Sequence, residues 1–382
     1  MGKIRLGIIG CGNMTGNHLD GLFKLSDRME ITAACDVDEE GMLKFAANFD
    51  NCFTTVHYEE MVDYVDAVLI SLPHDLHYNC GLFFANHKKH ILMEKPLCNL
   101  EEECLRLIKV CDREDVTLMC GYPVPYWPYI TKLKELVDSG EYGTVFQMSV
   151  FTEQLTQFRN DFGWGSSGRL GGGQLFSHGC HYIDLMLWFM GEPVEGVHIG
   201  TNKCTPWLIK EGTSNVALKF KSGATGYHFG TWGARGTRMG YDYQLLTDKG
   251  TLCLTAGEIR FYQNTTDEHG DYAENGSYEV VWKWDGEKSK NTHFEMIHFL
   301  DCIENHTRPL TDGRRAIQSL RLIWRLYDAE KQGVVADLRG LGLDQFNEED
   351  LDRIELYDPS TFVHLGDNEY GENEKRYKNK KN

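Results

Sequence analysis

The 382-residue chain is short of positive charge: 39 Lys and Arg stand against 57 Asp and Glu, a formal charge of −18. A surface that acidic repels phosphate backbones and anionic lipids, which argues against nucleic-acid and membrane partners. Paired cysteine spacing is missing too. No two of the twelve cysteines form C-x-x-C, so a zinc knuckle is excluded, and a disulfide framework belongs to short secreted chains. Reduced, mostly buried thiols are the expectation. No apolar run approaches the roughly twenty residues that cross a bilayer; Ile183–Met190 is among the longer ones. Met1 leads straight into a strand-like stretch, Lys3–Ile9, without the n-region and h-region of a signal peptide, so a cytoplasmic protein is expected. No internal repeat is visible at periods of about 20–50 residues.

What is present is an ordinary globular composition, 41% hydrophobic and 25% charged, in a chain long enough for two domains. Up to Gly121, short apolar strands (3–9, 31–35, 65–72, 90–93, 116–120) alternate with helix-like stretches, which implies a parallel sheet covered on both faces. Beyond Gly121 strand-like stretches crowd together at 144–153, 194–203, 213–220, 224–232, 241–247, 251–254, 258–262 and 278–284, separated by turns such as Lys221-Ser222-Gly223, as in antiparallel hairpins. Helices are expected at 128–138, 177–190, 292–305 (with Thr292 as N-cap) and 314–331. The expected division is α/β: residues 1–121, a dinucleotide-binding domain; 122–337, an α+β domain; 338–382, an extension that wraps the surface or is partly disordered.

Gly10-x-Gly12-x-x-Thr15 lies between the first strand and a helix, where helix N-terminal N–H groups face a pyrophosphate. It departs from G-x-G-x-x-G at the third position, with Gly16 following. Asp36 ends the second strand about 24 residues after Gly12, where an acid bonds both ribose hydroxyls. Asp38, Glu39 and Glu40 add more negative charge, which repels a 2′-phosphate. NAD is therefore expected in preference to NADP.

Four features in order, namely this glycine turn, Leu72-Pro73-His74 through His77, Glu94-Lys95-Pro96, and Gly171-Gly172-Gly173-x-Leu175-x-x-x-Gly179-x-His181-x-x-Asp184, make the chain resemble the Gfo/Idh/MocA oxidoreductases over roughly residues 3 to 335. The resemblance implies a Rossmann domain, doubly wound on a parallel sheet, joined to a large open-faced, mostly antiparallel sheet. It places Gly10, Gly12, Asn13, Met14, Asp36, Ser71, Pro73, His74, His77, Glu94 and Lys95 against the cofactor. Lys95 then lies between nicotinamide and substrate, next to a Lys-Pro bond that is often cis, and His181 is the proton acceptor. Imidazole suits that task because it titrates near neutrality.

Ser177, His181 and Asp184 stand at i, i+4 and i+7, on one helical face. Relatives often carry Asp where this chain has Ser177, so a Lys–Asp–His triad is in doubt. Asp184 either orients the imidazole or caps local polar groups. His178, Cys180 and His181 lack carboxylates at a metal-binding spacing, so no metal is expected, and His178 reads as a substrate contact. Tyr126 or Trp127, in a Pro-rich junction where relatives often have Arg-Phe, would stack on a sugar ring. Trp164 and Arg169 precede the triple glycine at substrate-contacting positions, in a stretch (161–173) with six glycines among thirteen residues.

The resemblance implies an NAD-dependent dehydrogenase acting on a ring hydroxyl, often C3 of a glucose-like sugar or glycoside, with a homo-oligomer formed through the open sheet. Alternatives are an NAD-retaining hydrolase or lyase using transient C3 oxidation, an inositol dehydrogenase, and an idle nucleotide sensor. Retention of both Lys95 and His181 argues against the last.

Overall fold

The structure is a computed structural model describing residues 2–156, 168–263, 278–286 and 291–356. Strands β1 (Ile4–Ile9), β2 (Met29–Cys35), β3 (Phe53–Thr55), β4 (Ala67–Ile70), β5 (His90–Glu94) and β6 (Leu118–Gly121) form one parallel sheet in the order β3-β2-β1-β4-β5-β6. Burial explains their composition. Every residue of β4 and β6 is buried, so these strands are continuously apolar rather than alternating. Helices α1 (Asn13–Lys24), α2 (Glu39–Ala46), α3 (His77–Asn86) and α4 (Glu101–Glu114) make the crossovers. The three-residue β3 was not anticipated.

After α5 (Pro128–Asp138) come β7 (Val145–Glu153), a helical segment ending in α6 (Cys180–Met190), and then β8 (Pro193–Thr201), β9 (Thr213–Phe220), β10 (Thr225–Thr231), β11 (Tyr241–Thr247), β12 (Gly250–Thr255), β13 (Glu258–Gln263) and β14 (Tyr278–Lys283). With the two-residue β15 (Ala336–Asp337) they form a nine-stranded sheet ordered β14-β13-β12-β11-β7-β10-β9-β8-β15. All its pairings are antiparallel except β7 with β10. Alternating burial along β9 and β11 shows one face on the core and the other outward.

Two long-range features were invisible in the sequence pattern. Helix α7 (His293–Asn305) returns to the first domain, where Met296, Phe299 and Leu300 share a core with Leu6, Ile8 and Leu22. Thr292 sits at its N-cap position, but its hydroxyl donates to the Asn17 carbonyl of α1 at 3.3 Å instead of capping α7. Helix α8 (Gly313–Gln332), capped by Asp312, runs between α6 and α4. The described part of the extension, with α9 (Glu349–Asp352), lies against α4: Lys109 donates to the Ile354 carbonyl at 2.8 Å and Arg106 to that of Glu355 at 3.2 Å. Eight of the twelve cysteines are buried, and all twelve are unpaired thiols. No described helix is long and apolar enough to cross a membrane.

Candidate functional site

The nucleotide end is built by a glycine turn pressed against β4. Gly10 has φ +89°, and a Cβ there would stand 2.2 Å from the Ser71 carbonyl oxygen, so only glycine fits. Gly12, at the N-cap of α1, has open space around its Cα and no side chain caps the helix. Helices α2 and α4 carry acids in their first turns; α1 carries none. Its N–H groups and positive dipole end are thus left for an external anion such as a pyrophosphate. Thr15, at the position of the third motif glycine, is buried and donates its hydroxyl to the Gly10 carbonyl, bracing the turn.

Asp36 stands beside that turn. Its carboxylate accepts from the Cys11 N–H at 2.6 Å and from the Asp38 N–H at 2.9 Å, which holds it at the end of β2. A 2′-phosphate placed there meets a fixed carboxylate, a like-charge contact that costs several kcal/mol. NADP is expected to bind at least about tenfold more weakly than NAD, and Asp36→Ala to narrow the gap. Equal affinities for the two cofactors in a fluorescence titration of the unaltered chain would contradict this.

The expected catalytic end lies where β5 stops. The Lys95–Pro96 bond is cis. His77 is fully buried beneath it, its Nδ1 at 2.8 Å from the Pro96 carbonyl and its Nε2 at 2.9 Å from that of Leu72. His77 therefore braces the turn from inside; both ring nitrogens are engaged by backbone rather than by cofactor. His74 is also buried, with its Nδ1 at 3.0 Å from the Leu170 carbonyl. Glu94 is buried against His18 of α1 at 2.9 Å and accepts from the Lys95 N–H at 3.3 Å, so it faces inward as well. Lys95 itself reaches across to the second sheet's domain and donates its Nζ to the Ser177 carbonyl at 2.8 Å.

The helix it meets is not regular. Leu175–Gly179 is a π-turn leading into α6, and such turns shift side chains off the α-helical stripe. Ser177, inside the π-turn, is thereby set apart from His181 and Asp184, which follow in the regular helix α6. Ser177 offers its carbonyl to Lys95. His181, four residues on and 8% exposed, sets its ring edge-on to Tyr122 at 5.4 Å. Asp184 is wholly buried and accepts from Arg315 of α8 at 2.8 and 2.6 Å, one bond to each oxygen. Its carboxylate fastens α6 to α8 rather than reaching His181. Breaking a buried pair of this kind typically costs about 3–5 kcal/mol.

The triple glycine is explained by what crowds it. A Cβ on Gly173 would stand 2.3 Å from the Glu211 carboxylate, which accepts from the Leu175 N–H at 3.2 Å and the Tyr327 hydroxyl at 2.6 Å. Tyr327 in turn accepts from the N–H groups of Gly173 and Phe176 at 3.3 and 3.2 Å. This Glu211–Tyr327 clasp fixes the entry to the catalytic helix. Neither residue was legible, because both are remote in sequence and carry no motif. His178, expected as a substrate contact, lies 3.2 Å from Gln174 Nε2 and 3.3 Å from the Tyr241 hydroxyl, which donates to Gln154 at 2.5 Å; these three neighbours were not anticipated. Of those three, Gln174 alone lies inside the glycine–histidine motif, whose position could have flagged it.

Other expected substrate contacts are placed differently. Tyr126 turns its hydroxyl to Thr311, 3.0 Å from Oγ1 and accepting from its N–H at 3.2 Å, with its ring against His298 at 5.1 Å. Its hydroxyl is thus tied to the segment leading into α8. Trp127 packs beside Tyr129 at the start of α5. Arg169 is drawn to Asp75 at 2.7 Å and its carbonyl accepts from Asn99 at 3.0 Å, tying the loop to the first domain. Trp164 lies outside the described residues.

Beneath the catalytic helix His228 is buried, stacked on Tyr182 at 5.6 Å, with Gly179 packed above it. Burial, helped by His198, lowers its pKa from the usual 6.5 to about 3. Between those values the unfolded chain binds more protons, so this histidine's contribution is complete above pH 6.5 and drains away as pH falls toward 3. The slope is about 1.4 kcal/mol per pH unit. Thermal unfolding should therefore drop steeply between pH 6.5 and 4.5, and His228→Gln should flatten that drop. Superimposable pH profiles for the two chains would show that His228 does not cause it.

Comparison with known proteins agrees with this geometry. Residues 4–122 match the NAD-binding Rossmann fold of the Gfo/Idh/MocA oxidoreductases, and residues 130–253 match that family's C-terminal domain, together more than half of the chain. The chain is 26% identical to the myo-inositol 2-dehydrogenase of Thermotoga maritima over 331 residues, 84% of this chain and 94% of that one. It is also 26% identical to the glucose-6-phosphate 3-dehydrogenase of Bacillus subtilis over 192 residues, 49% of this chain and 54% of the relative. Among solved structures, levoglucosan dehydrogenase in complex with NADH and L-sorbose superposes with a TM-score of 0.78 over 88% of this chain and 99% of that chain, at 16% identity. With both domains matched in order and the glycine turn, Glu94-Lys95-Pro96 and the His181 helix brought together, the chain belongs to the Gfo/Idh/MocA family of NAD-dependent oxidoreductases.

Proposed function

We propose that the protein oxidises a ring hydroxyl, at C3 of a glucose-like sugar or glycoside, or reduces the corresponding ketone. The observation that carries this reading is the bond from Lys95 Nζ to the Ser177 carbonyl, which brings an ammonium from the cofactor domain onto the helix bearing His181. When bound, NAD supplies the hydride acceptor. The turn at Gly10–Gly12 and Asp36 would hold it. Lys95 binds the reacting oxygen and favours its alkoxide character, while His181 takes its proton.

Beside His181, among the described residues, Gln154, Gln174, His178 and Tyr241 form a chain of hydrogen-bonding groups. Such a wall suits ring hydroxyls, and Arg169 is already engaged by Asp75, so a free sugar or glycoside fits better than a sugar phosphate. Outward-facing Phe146 and Ile199, 52% and 66% exposed, leave an apolar sheet face that supports homo-oligomer formation.

Incubation with NAD and a panel of glucose, glucosides and myo-inositol tests the reading. NADH accumulating with a glucoside supports a net dehydrogenase. Aglycone release without NADH supports the closed redox cycle of a hydrolase or lyase. Turnover of myo-inositol alone would replace the sugar by a cyclitol.

A further inference from the structure

Outside the proton-handling site lies a cluster with no assigned role. His18 on α1, Glu94 at the end of β5 and Glu295 in the first turn of α7 are buried together, at 2%, 5% and 0% exposure. One ligating atom from each falls within 4.8 Å of the other two. His18 Nε2 meets Glu94 Oε1 at 2.9 Å. Glu295 is the unusual member: neither of its oxygens accepts a hydrogen bond. A buried carboxylate without a partner is costly, and one beside a second carboxylate more so. Even an imidazolium at His18 would balance only one of the two acids. With both acids ionised, the cluster is short of positive charge.

We propose that these three side chains bind one first-row divalent cation, which joins the nucleotide-binding helix, the Glu94-Lys95-Pro96 turn and α7. An imidazole nitrogen with two carboxylates is a borderline donor set, suited to zinc, manganese or iron. Two donors each about 2.0–2.2 Å from a common ion stand roughly 3 Å apart, the separation His18 and Glu94 already have. The two carboxylates balance the ion's double charge, and Glu295 gains the partner it lacks. A proton on Glu295 would cancel its charge but would find no acceptor within hydrogen-bond distance among the described residues, leaving both buried oxygens without a partner.

Position favours a fastening role. Helix α7 is pressed onto α1 here: a Cβ on Gly21 would stand 2.9 Å from His293 Cβ, and Thr292 donates to the Asn17 carbonyl. An ion bound at this point links a C-terminal helix to the helix whose N-terminus serves the cofactor. The cluster is separate from His178 and His181, whose spacing gave no reason to expect a metal.

The test is binding of zinc to the chelator-stripped full chain, followed by metal analysis after dialysis and by thermal unfolding. The intact chain should retain one zinc equivalent more than Glu295→Gln or His18→Gln, which corrects for adventitious binding by exposed thiols. Zinc should raise its melting temperature and leave those of the variants unmoved. Equal zinc content in all three chains, with Glu295→Gln melting no lower than the intact chain, would overturn the proposal and leave Glu295 buried as its neutral acid. If both variants fail to fold, crystals of the intact chain soaked in zinc decide it. An anomalous peak among His18, Glu94 and Glu295 supports the site, and its absence there refutes it.

Discussion

Lys95→Ala should lower kcat by about three orders of magnitude or more while NAD affinity stays within about threefold of the intact chain. Withdrawing one preorganised donor from a developing oxyanion costs about 10²–10³ in rate, and this donor also assists proton removal. In the proposed arrangement the pyrophosphate and ribose would rest elsewhere, on the uncapped N-terminus of α1 and on Asp36. The fold should survive, because the side chain makes a single bond, to the Ser177 carbonyl, and spans a partly exposed seam. Lys95→Arg should not rescue activity: a planar guanidinium cannot place a point charge where the ammonium sits. The measurement is steady-state turnover beside a cofactor titration. Normal kcat in Lys95→Ala would remove Lys95 from the chemistry, whereas parallel loss of NAD binding would mean that the lysine serves the cofactor instead.

How much of this was legible beforehand depended on the range of the interaction. The glycine turn, Asp36 and the strand alternation were readable because each is written locally: an apolar run, a turn that tolerates only glycine, an acid at the end of the next strand. The change of rhythm after Gly121 likewise marks the second sheet, whose outward and inward residues alternate. Residues that meet across the chain were not readable. Asp184 lies three positions after His181 and looked like its partner; the structure gives it to Arg315, 131 residues away. Local spacing could not foresee this, since the partner that takes Asp184 comes from a helix far along the chain. His74, His77 and Glu94 shared a similar fate. Their motif is local, but their side chains turn inward to brace the backbone that presents Lys95. The Glu211–Tyr327 clasp and the return of α7 had no local signal, because a side chain that anchors through backbone N–H groups needs no pattern around it.

The π-turn also separates the two histidines, and their roles should separate kinetically. His178 Nδ1 and Nε2 face Gln174 and Tyr241, on the polar wall; His181 lies deeper, against Tyr122 and one helical turn from the carbonyl that receives Lys95. Their rings are 6.0 Å apart and nearly perpendicular, so one proton-transfer position cannot serve both. A proton-transfer residue contributes about 10²–10⁴ in rate. His181→Asn is therefore expected to lower kcat by that order with folding intact. His178→Asn should instead raise KM more than it lowers kcat, as loss of a contact made equally in ground and transition states does. A primary deuterium isotope effect on kcat verifies that chemistry limits turnover in the comparison. Should His178→Asn lose kcat as severely as His181→Asn at unchanged KM, the division fails. The pair would then act as a relay, with His178 taking a part that Ser177, which offers Lys95 only its carbonyl, cannot fill.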